Sequence, residues 1–384
     1  MANPILIVGA SGRAAAASAI RAGFQPHVID LFADADTMRL CPTIVCPSQD
    51  YPHGLIALAN AAPPMPWMYT GGLENHPDVV MAISEYRKLV GNNANVLREV
   101  RDVTRFARTV RERGGHFPTT IPSGTAPPTD GIWLHKSATS SGGLGVRFAI
   151  TEDFDGHSHN MQDCLQKFID GDPMSAIYHS DSQHRSTLFG MTRQLIGTPW
   201  LHAKPFAYAG NITRHDEILA KNLAIHGELL SRDFGLKGGW GLDFIDIHNG
   251  QAFTIEMNPR YTAAVEVLEF ATGKAFLGDA TSPRRSSPVV GKAIYYAPHR
   301  ITFPRSGPWD ESLANCTDVW LRPDFADIPH DGSRIETGQP VCTIFAESCT
   351  EADCLEQLRR CAHELDKLGS SDKCVLGLVD RVNA

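Results

Sequence analysis

Two stretches of this 384-residue chain carry side chains suited to handling a polyphosphate. The first runs Trp133-Leu134-His135-Lys136, then Ser137-Ala138-Thr139-Ser140-Ser141-Gly142-Gly143-Leu144-Gly145-Val146. Lys136 ends an apolar run of strand type, where an ammonium is held as a compact fixed charge. The small residues after it let backbone N–H groups approach phosphate oxygens without a Cβ in the way. The second stretch is Gly241-Leu242-Asp243-Phe244 with Ile255-Glu256-Met257-Asn258-Pro259-Arg260. Its two apolar runs are joined by His248-Asn249-Gly250, and Asn-Gly between such runs signals a hairpin. A hairpin brings Asp243 and Glu256 onto neighbouring antiparallel strands, and strand alternation puts Asn258 on the face of Glu256. Two carboxylates and an amide oxygen are hard donors that suit one or two Mg2+ ions.

The elements that must position these groups are legible in outline. Ile5 to Val8 reads as a buried strand, Gly9-Ala10-Ser11-Gly12-Arg13 as a turn and Ala14 to Ala22 as a helix. Val28-Ile29-Asp30 and Trp67-Met68-Tyr69-Thr70 are further strands, so the N-terminal part is a parallel α/β sheet. The Gly9–Gly12 turn lacks the full Gly-x-Gly-x-x-Gly spacing of a dinucleotide fingerprint. Apolar residues recur at helical spacing between Asn95 and Arg113. Pro118, Pro122, Pro127 and Pro128 then mark a loop before the strand Gly131 to Lys136. Leu165 to Ile169 is a short strand or linker, and Asp216 to Arg232 a helix with a wide apolar face. Strands follow over Gly241 to Ile247 and Ala252 to Met257. A polar boundary falls over Thr281 to Pro288. Beyond it come strands at Gly291 to Tyr296, Asp318 to Leu321 and Pro340 to Ala346, and a helix from Thr350 to Leu368.

A net charge of −8 gives no support to non-specific nucleic-acid binding. No apolar run approaches the roughly 18 residues of a membrane span, and the N-terminal apolar stretch is too short for a signal peptide. Nine cysteines without a Cys-x-x-Cys pair read as reduced thiols of a cytoplasmic protein. Six of them lie from Cys316 onward. Cys349, Cys354, Cys361 and His363 match no common zinc spacing.

Taken in order, these motifs resemble the ATP-grasp superfamily, and within it the biotin-carboxylase-related group of ATP-dependent carboxylate–amine ligases. Ile7-Val8-Gly9-Ala10-Ser11-Gly12-Arg13-Ala14 with Asp30-Leu31-Phe32 resembles that group's leading domain, and Ile255-Glu256-Met257-Asn258 with Arg260 matches biotin carboxylase residue for residue. The resemblance implies an α/β chain with the ATP-grasp fold. It would comprise a parallel α/β pre-ATP-grasp domain over 1–90, an ATP-grasp nucleotide and catalytic domain of two α+β subdomains over 91–280, and a small β-rich C-terminal α+β extension over 281–384. It further implies ATP and Mg2+. Lys136 would meet the phosphates, together with Ser140, Ser141, Gly142, Gly143 and Gly145. Gln166-Lys167-Phe168-Ile169 would be the adenine hinge, Asp243, Glu256 and Asn258 the metal donors, and Arg260, with Lys136, the catalytic cation. Ser137 stands where many relatives have proline, and Asp243 where biotin carboxylase has glutamate. The first phosphate lysine of many relatives has no clear counterpart, Lys88 being a poor one.

The resemblance implies an enzyme that activates a carboxylate as an acyl phosphate and joins it to an amine, releasing ADP and phosphate. Some members of the group serve one-carbon cofactor assembly of the methanopterin or methylofuran type. No Met-Lys biotin-attachment signature occurs, and after Arg260 the run Tyr261-Thr262-Ala263-Ala264-Val265-Glu266 offers only Glu266 as an ionisable group. A bicarbonate-using carboxylase is therefore the second reading and a non-catalytic ATP-binding regulatory module the third. Arg193, Gln194, His202, Tyr208 and Asn211 are candidates for the acceptor site. The partners expected are small molecules, with no nucleic acid and no membrane; a homodimer is left open.

Overall fold

In the computed structural model, the described residues are 3–125, 131–138, 140–150, 153, 163–248, 250–284 and 289–371. Thr139, Pro127, Pro128, Asn249, positions 285–288 of the polar boundary and Cys374 lie outside them. The N-terminal unit contains β1 (Asn3–Val8), α1 (Arg13–Arg21), β2 (Phe24–Asp30), α2 (Ala35–Leu40), β3 (Thr43–Val45), α3 (Gly54–Ala61), β4 (Trp67–Tyr69) and α4 (Pro77–Ser84). Its strands form a parallel sheet in the order β3-β2-β1-β4. β1 is a near-continuous apolar run because helices cover both faces of such a sheet. The Asp30 carboxylate accepts from the Gly12 N–H at 2.8 Å and from the N–H groups of Phe32 and Ala33. It braces the first turn and is spent on backbone.

The segment expected to be mainly helical forms two helices, α5 (Ala94–Arg101) and α6 (Val103–Glu112). Asp102 separates them, its side chain capping α6 by accepting from the Thr104 and Arg105 N–H groups. A small antiparallel sheet follows, β5 (Thr120–Pro122), β6 (Trp133–Lys136), β7 (Val146–Phe148) and β8 (Cys164–Lys167), in the order β5-β8-β6-β7.

The remaining elements are β9 (Asp172–Ser180), β10 (Ser186–Ile196), β11 (Tyr208–Arg214), α7 (Glu217–Phe234), β12 (Gly238–Asp246), β13 (Ala252–Asn258), α8 (Ala264–Thr272), β14 (Val289–Tyr296), β15 (Ile301–Thr302), α9 (Asp310–Asn315), β16 (Phe325–Ala326), β17 (Arg334–Ile335), β18 (Pro340–Ser348) and α10 (Glu351–Ser371). Eight strands form one sheet in the order β13-β12-β9-β10-β11-β14-β18-β16, so it runs from the acidic hairpin into the C-terminal hundred residues. One core, including Phe106, Val110, Leu219, Leu230 and Phe234, packs α5, α6 and α7 onto it. Tyr178 and Trp240 stack there with ring centroids 4.2 Å apart. The strand expected over Asp318 to Leu321 is instead a turn closed by the Leu321 N–H on the Asp318 carbonyl.

A buried ion cluster joins the N-terminal unit to the large sheet. Arg13 of α1 makes two 2.7 Å hydrogen bonds to Glu266 of α8, and Lys292 of β14 stands 3.2 Å from the same carboxylate. Arg13 also pairs with Asp327 at 2.7 Å, and Arg21 with Glu269 at 2.5 Å. Two parallel bonds fix the guanidinium in direction as well as distance. Glu266, expected beside Arg260 as the lone ionisable group, is thus buried in this junction.

Candidate active site

β12 and β13 pair antiparallel with Asp243 directly opposite Glu256, and a bulge follows between Asp243 and Phe244. The Asn258 amide donates to Asp243 Oδ2 at 2.9 Å and the Gln194 amide, from β10, to Oδ1 at 3.0 Å. Burial pushes the Asp243 carboxyl up to about 7, and the neighbouring Glu256 charge adds to it. A divalent cation beside Asp243 would relieve that cost. Among the described residues no group of three His, Cys, Asp or Glu side chains forms a metal cluster. Any metal here therefore leans on Asn258 and on its other ligands as well as the two acids.

Above this hairpin stands the small sheet. Lys136 ends β6, and burial pushes its ammonium pKa down while Glu256, Cys164 and Asp243 pull it back. The turn from Ser140 to Gly145 folds against the large sheet, where the Gly142 carbonyl accepts from the Tyr208 N–H at 2.9 Å. Gly143 has φ of +75°, and a Cβ on it would lie 1.8 Å from the Phe206 carbonyl oxygen, so only glycine fits. Between the two sheets lies a cavity of about 410 Å³. Lys136, Gly142, Gly143, Gln166, Lys167, Phe168 and Ile169 line it from the small sheet, and Asp243, Glu256, Asn258 and Arg260 from the large one. Ser140, Ser141 and Gly145 sit in the turn behind that wall. Ser141 and Gly145 supply carbonyls to the Leu144 and Ser137 N–H groups, and the Ser140 carbonyl accepts from Asn75.

Gln166 is buried, and its amide donates to Thr120 Oγ1 at 3.1 Å. The N–H groups of Lys167 and Phe168 are donated to Thr119 and Ile132, at 2.8 Å each. Of the acceptor candidates, Gln194, Tyr208 and Asn211 line the cavity. Arg193 is instead paired with Glu351 at 2.8 Å, and His202 with Asp366 at 2.7 Å. Both point into contacts with α10.

Two residues of the site escaped the sequence. Glu74, fully buried in a short turn after β4, accepts from Arg260 Nη2 at 2.7 Å and so holds the arginine from the N-terminal unit. Burial pushes its carboxyl up, but Arg260 and Arg101 outweigh that and keep it below the usual range. Its position at the carboxyl end of a parallel strand is where α/β sheets place ligand-facing groups, and that signal was available. The other is Arg101, at the end of α5, with Nη1 2.5 Å from Glu256 Oε1.

Residues 100–264 match the family model of the ATP-grasp domain. The chain carries an ATP-grasp domain. The ATP-grasp match begins at Val100 and ends at Ala264, so it takes in the small sheet and strands β9 to β13 of the large one, which carry the cavity's acidic hairpin. An uncharacterised protein of Methanocaldococcus jannaschii is 28% identical over 140 residues, which are 36% of this chain and 34% of that protein; the match thus covers about a third of the relative's length. Among solved structures, the biotin carboxylase of Campylobacter jejuni in complex with β,γ-ATP superposes with a TM-score of 0.68 at 13% identity, covering 93% of this chain and 90% of that one. An ADP complex of N5-carboxyaminoimidazole ribonucleotide synthetase gives 0.66 at 13%, covering 95% and 97%. An L-amino acid ligase of Bacillus licheniformis gives 0.66 at 12%, covering 94% and 97%. The ATP-grasp fold expected from the motifs is therefore present over nearly the whole chain. No described helix is long and apolar enough to cross a membrane.

Proposed function

We infer that this chain is an ATP-dependent ligase that joins a carboxylate to an amine. The observation that carries the reading is the single cavity in which Lys136 and the Gly142–Gly143 turn face Asp243, Glu256, Asn258 and Arg260. Asp243, Glu256 and Asn258 would hold Mg2+, which supplies positive charge to the phosphates and the leaving group. Lys136 and the turn's backbone hold the nucleotide phosphates. The apolar wall with Phe168 and Ile169 receives the base. Because the Lys167 and Phe168 N–H groups are spent within the sheet, other backbone groups of that segment meet the adenine.

Arg260, braced by Glu74, orients the substrate carboxylate and meets the charge that builds on it. A carboxylate oxygen attacks the γ-phosphorus and the bond to ADP breaks. The amine nitrogen then attacks the acyl carbon, phosphate leaves and the nitrogen loses a proton. No protein nucleophile is required. With Glu266 sequestered by Arg13 and Lys292, the run after Arg260 offers no base for bicarbonate, which favours amide formation over the carboxylase reading. The family resemblance supports a place in one-carbon cofactor assembly, with the protein acting on small molecules in the cytoplasm.

The test is a screen of acid and amine pairs for ADP release, with hydroxylamine added to trap the acyl phosphate as a hydroxamate. ADP, phosphate and a hydroxamate that needs only the acid are the expected products. AMP and pyrophosphate, or ADP release that needs bicarbonate and no amine, would overturn the reading.

A further inference from the structure

Arg101 closes α5 one residue before the cap of α6, and its guanidinium crosses to the acidic hairpin. Nη1 lies 2.5 Å from Glu256 Oε1, and Nη2 stands 3.8 Å from Glu74 Oε1, an oxygen already bonded to Arg260. Its Nε and Nη2 are buried without a hydrogen-bond acceptor. A guanidinium carries five donors in a rigid fork, so Arg101 is satisfied on one edge and open on another. Glu256 lines the first cavity, whereas Arg101 lines a second, of about 590 Å³, beside Arg98 and Arg111. Their ion pair is part of the wall between the two.

Glu256 cannot give the same oxygen fully to Arg101 and to a divalent cation, because both are positive and both seek it at contact distance. A cation that takes Oε1 competes with Arg101 for it, and a cation on either oxygen sets a like charge beside the guanidinium, which favours its departure. Glu74 gives Oε1 to Arg260, and its buried Oε2 has no hydrogen-bond partner, so it could take only one edge of the displaced guanidinium. The oxyanion that accompanies the cation, the phosphate chain of a nucleotide, brings several anionic acceptors that can fill the whole fork.

We propose that Arg101 is a displaceable counter-ion that closes Glu256 to a free divalent cation and passes to the nucleotide phosphates when metal and nucleotide arrive together. The proposal rests on reading the first cavity as the nucleotide site. It provides a phosphate-side cation from a different element than Lys136, in a chain where the first phosphate lysine of many relatives has no clear counterpart. It also makes metal and nucleotide bind cooperatively, each tightening the other by the same factor.

Free Mn2+ is titrated into the full chain and followed by electron paramagnetic resonance, alone and then with β,γ-methylene-ATP. The protein is compared with Arg101→Gln and Arg101→Lys, whose fold is checked by circular dichroism. For the unaltered protein the analogue should tighten Mn2+ binding by about tenfold or more. Arg101→Gln should bind free Mn2+ about tenfold tighter and the Mn2+–analogue complex about tenfold weaker, so the coupling collapses. Arg101→Lys, which keeps charge without the fork, should fall between on both measures and carries the test if the glutamine variant does not fold. Opposite signs on the two measurements are the signature, since general damage to the site would weaken both. Affinities within twofold of the unaltered protein, or free metal bound more weakly by Arg101→Gln, would overturn the proposal. An unaltered protein that binds no Mg-ATP at all would instead overturn the nucleotide reading on which it rests.

Discussion

Several charges of the site converge on Glu256: Asp243 lies opposite it, Arg101 bonds it, and Lys136 and Arg260 stand within electrostatic reach. Its substitution by glutamine removes a negative charge and a hard donor while keeping shape. Glu256→Gln should abolish turnover and the magnesium dependence of ATP binding, with a melting temperature close to that of the unaltered protein, as scanning fluorimetry with and without Mg-ATP would read. Lys136→Ala should weaken Mg-ATP by about tenfold or more, the scale of one lost charge-assisted contact of roughly 1.5–3 kcal/mol. A thermal shift with NADP and none with Mg-ATP would count against both. Residue type and spacing made Lys136, Asp243, Glu256, Asn258 and Arg260 legible, because phosphate and metal chemistry admits few side chains. Arg101 is not legible, since it acts through Glu256, far away in sequence, and Glu74 shows itself only by its place beyond a parallel strand. Arg193 and His202 show the converse: lying near the site in sequence, they are claimed by Glu351 and Asp366 of α10.

At the level of elements, the turn between β6 and β7 and the break between α5 and α6 matter most. Gly143→Ala forces a side chain into a left-handed conformation and against the Phe206 carbonyl, so the turn must lift off β11. Backbone strain of this kind costs about 1–3 kcal/mol. The expected outcome is weaker Mg-ATP binding by calorimetry with the far-ultraviolet spectrum unchanged; unaltered affinity would mean that the turn does not hold phosphate. The break at Asp102 is hidden inside an uninterrupted helical periodicity, although Asp immediately before an apolar-periodic residue, here Val103, is a cap signal. β9, β10 and β11 were missed for a physical reason too. β9 is buried on both faces, and β10 and β11 carry Thr192, Gln194 and Asn211 inward, so none shows the apolar–polar alternation by which strands are recognised.

For the whole molecule, the cluster around Arg13 and Glu266 ties α1, α8, β14 and the segment after β16 into one body. Glu266→Gln leaves Arg13 and Lys292 buried beside a neutral group, and breaking a buried pair from one side costs about 3–5 kcal/mol. Chemical denaturation should register that loss. The pH response has two signs. Burial pushes the Asp36 carboxyl up to about 6, so the folded state binds its proton more tightly, and stability should rise as pH falls through about 6 toward the unfolded value near 4. Burial also opposes the charge of Glu266, but Arg13 and Lys292 outweigh it and hold the carboxyl below its usual range; its contribution is present above about pH 4.3 and lost as pH falls further. Melting temperatures should therefore peak on the acid side of neutrality before collapsing; a monotonic fall from pH 7 would contradict the Asp36 assignment. The eight-stranded sheet has a practical corollary for anyone dissecting the chain. β11 pairs with β14 through Gly210, Asn211 and Ile212, and Leu195, Leu201 and Ile212 are roofed by Val289, Ile344 and Leu358. A fragment stopped at residue 280 would present a raw strand edge next to bared oily side chains, an invitation to stick to its own copies. It should emerge in inclusion bodies, whereas the intact chain should not.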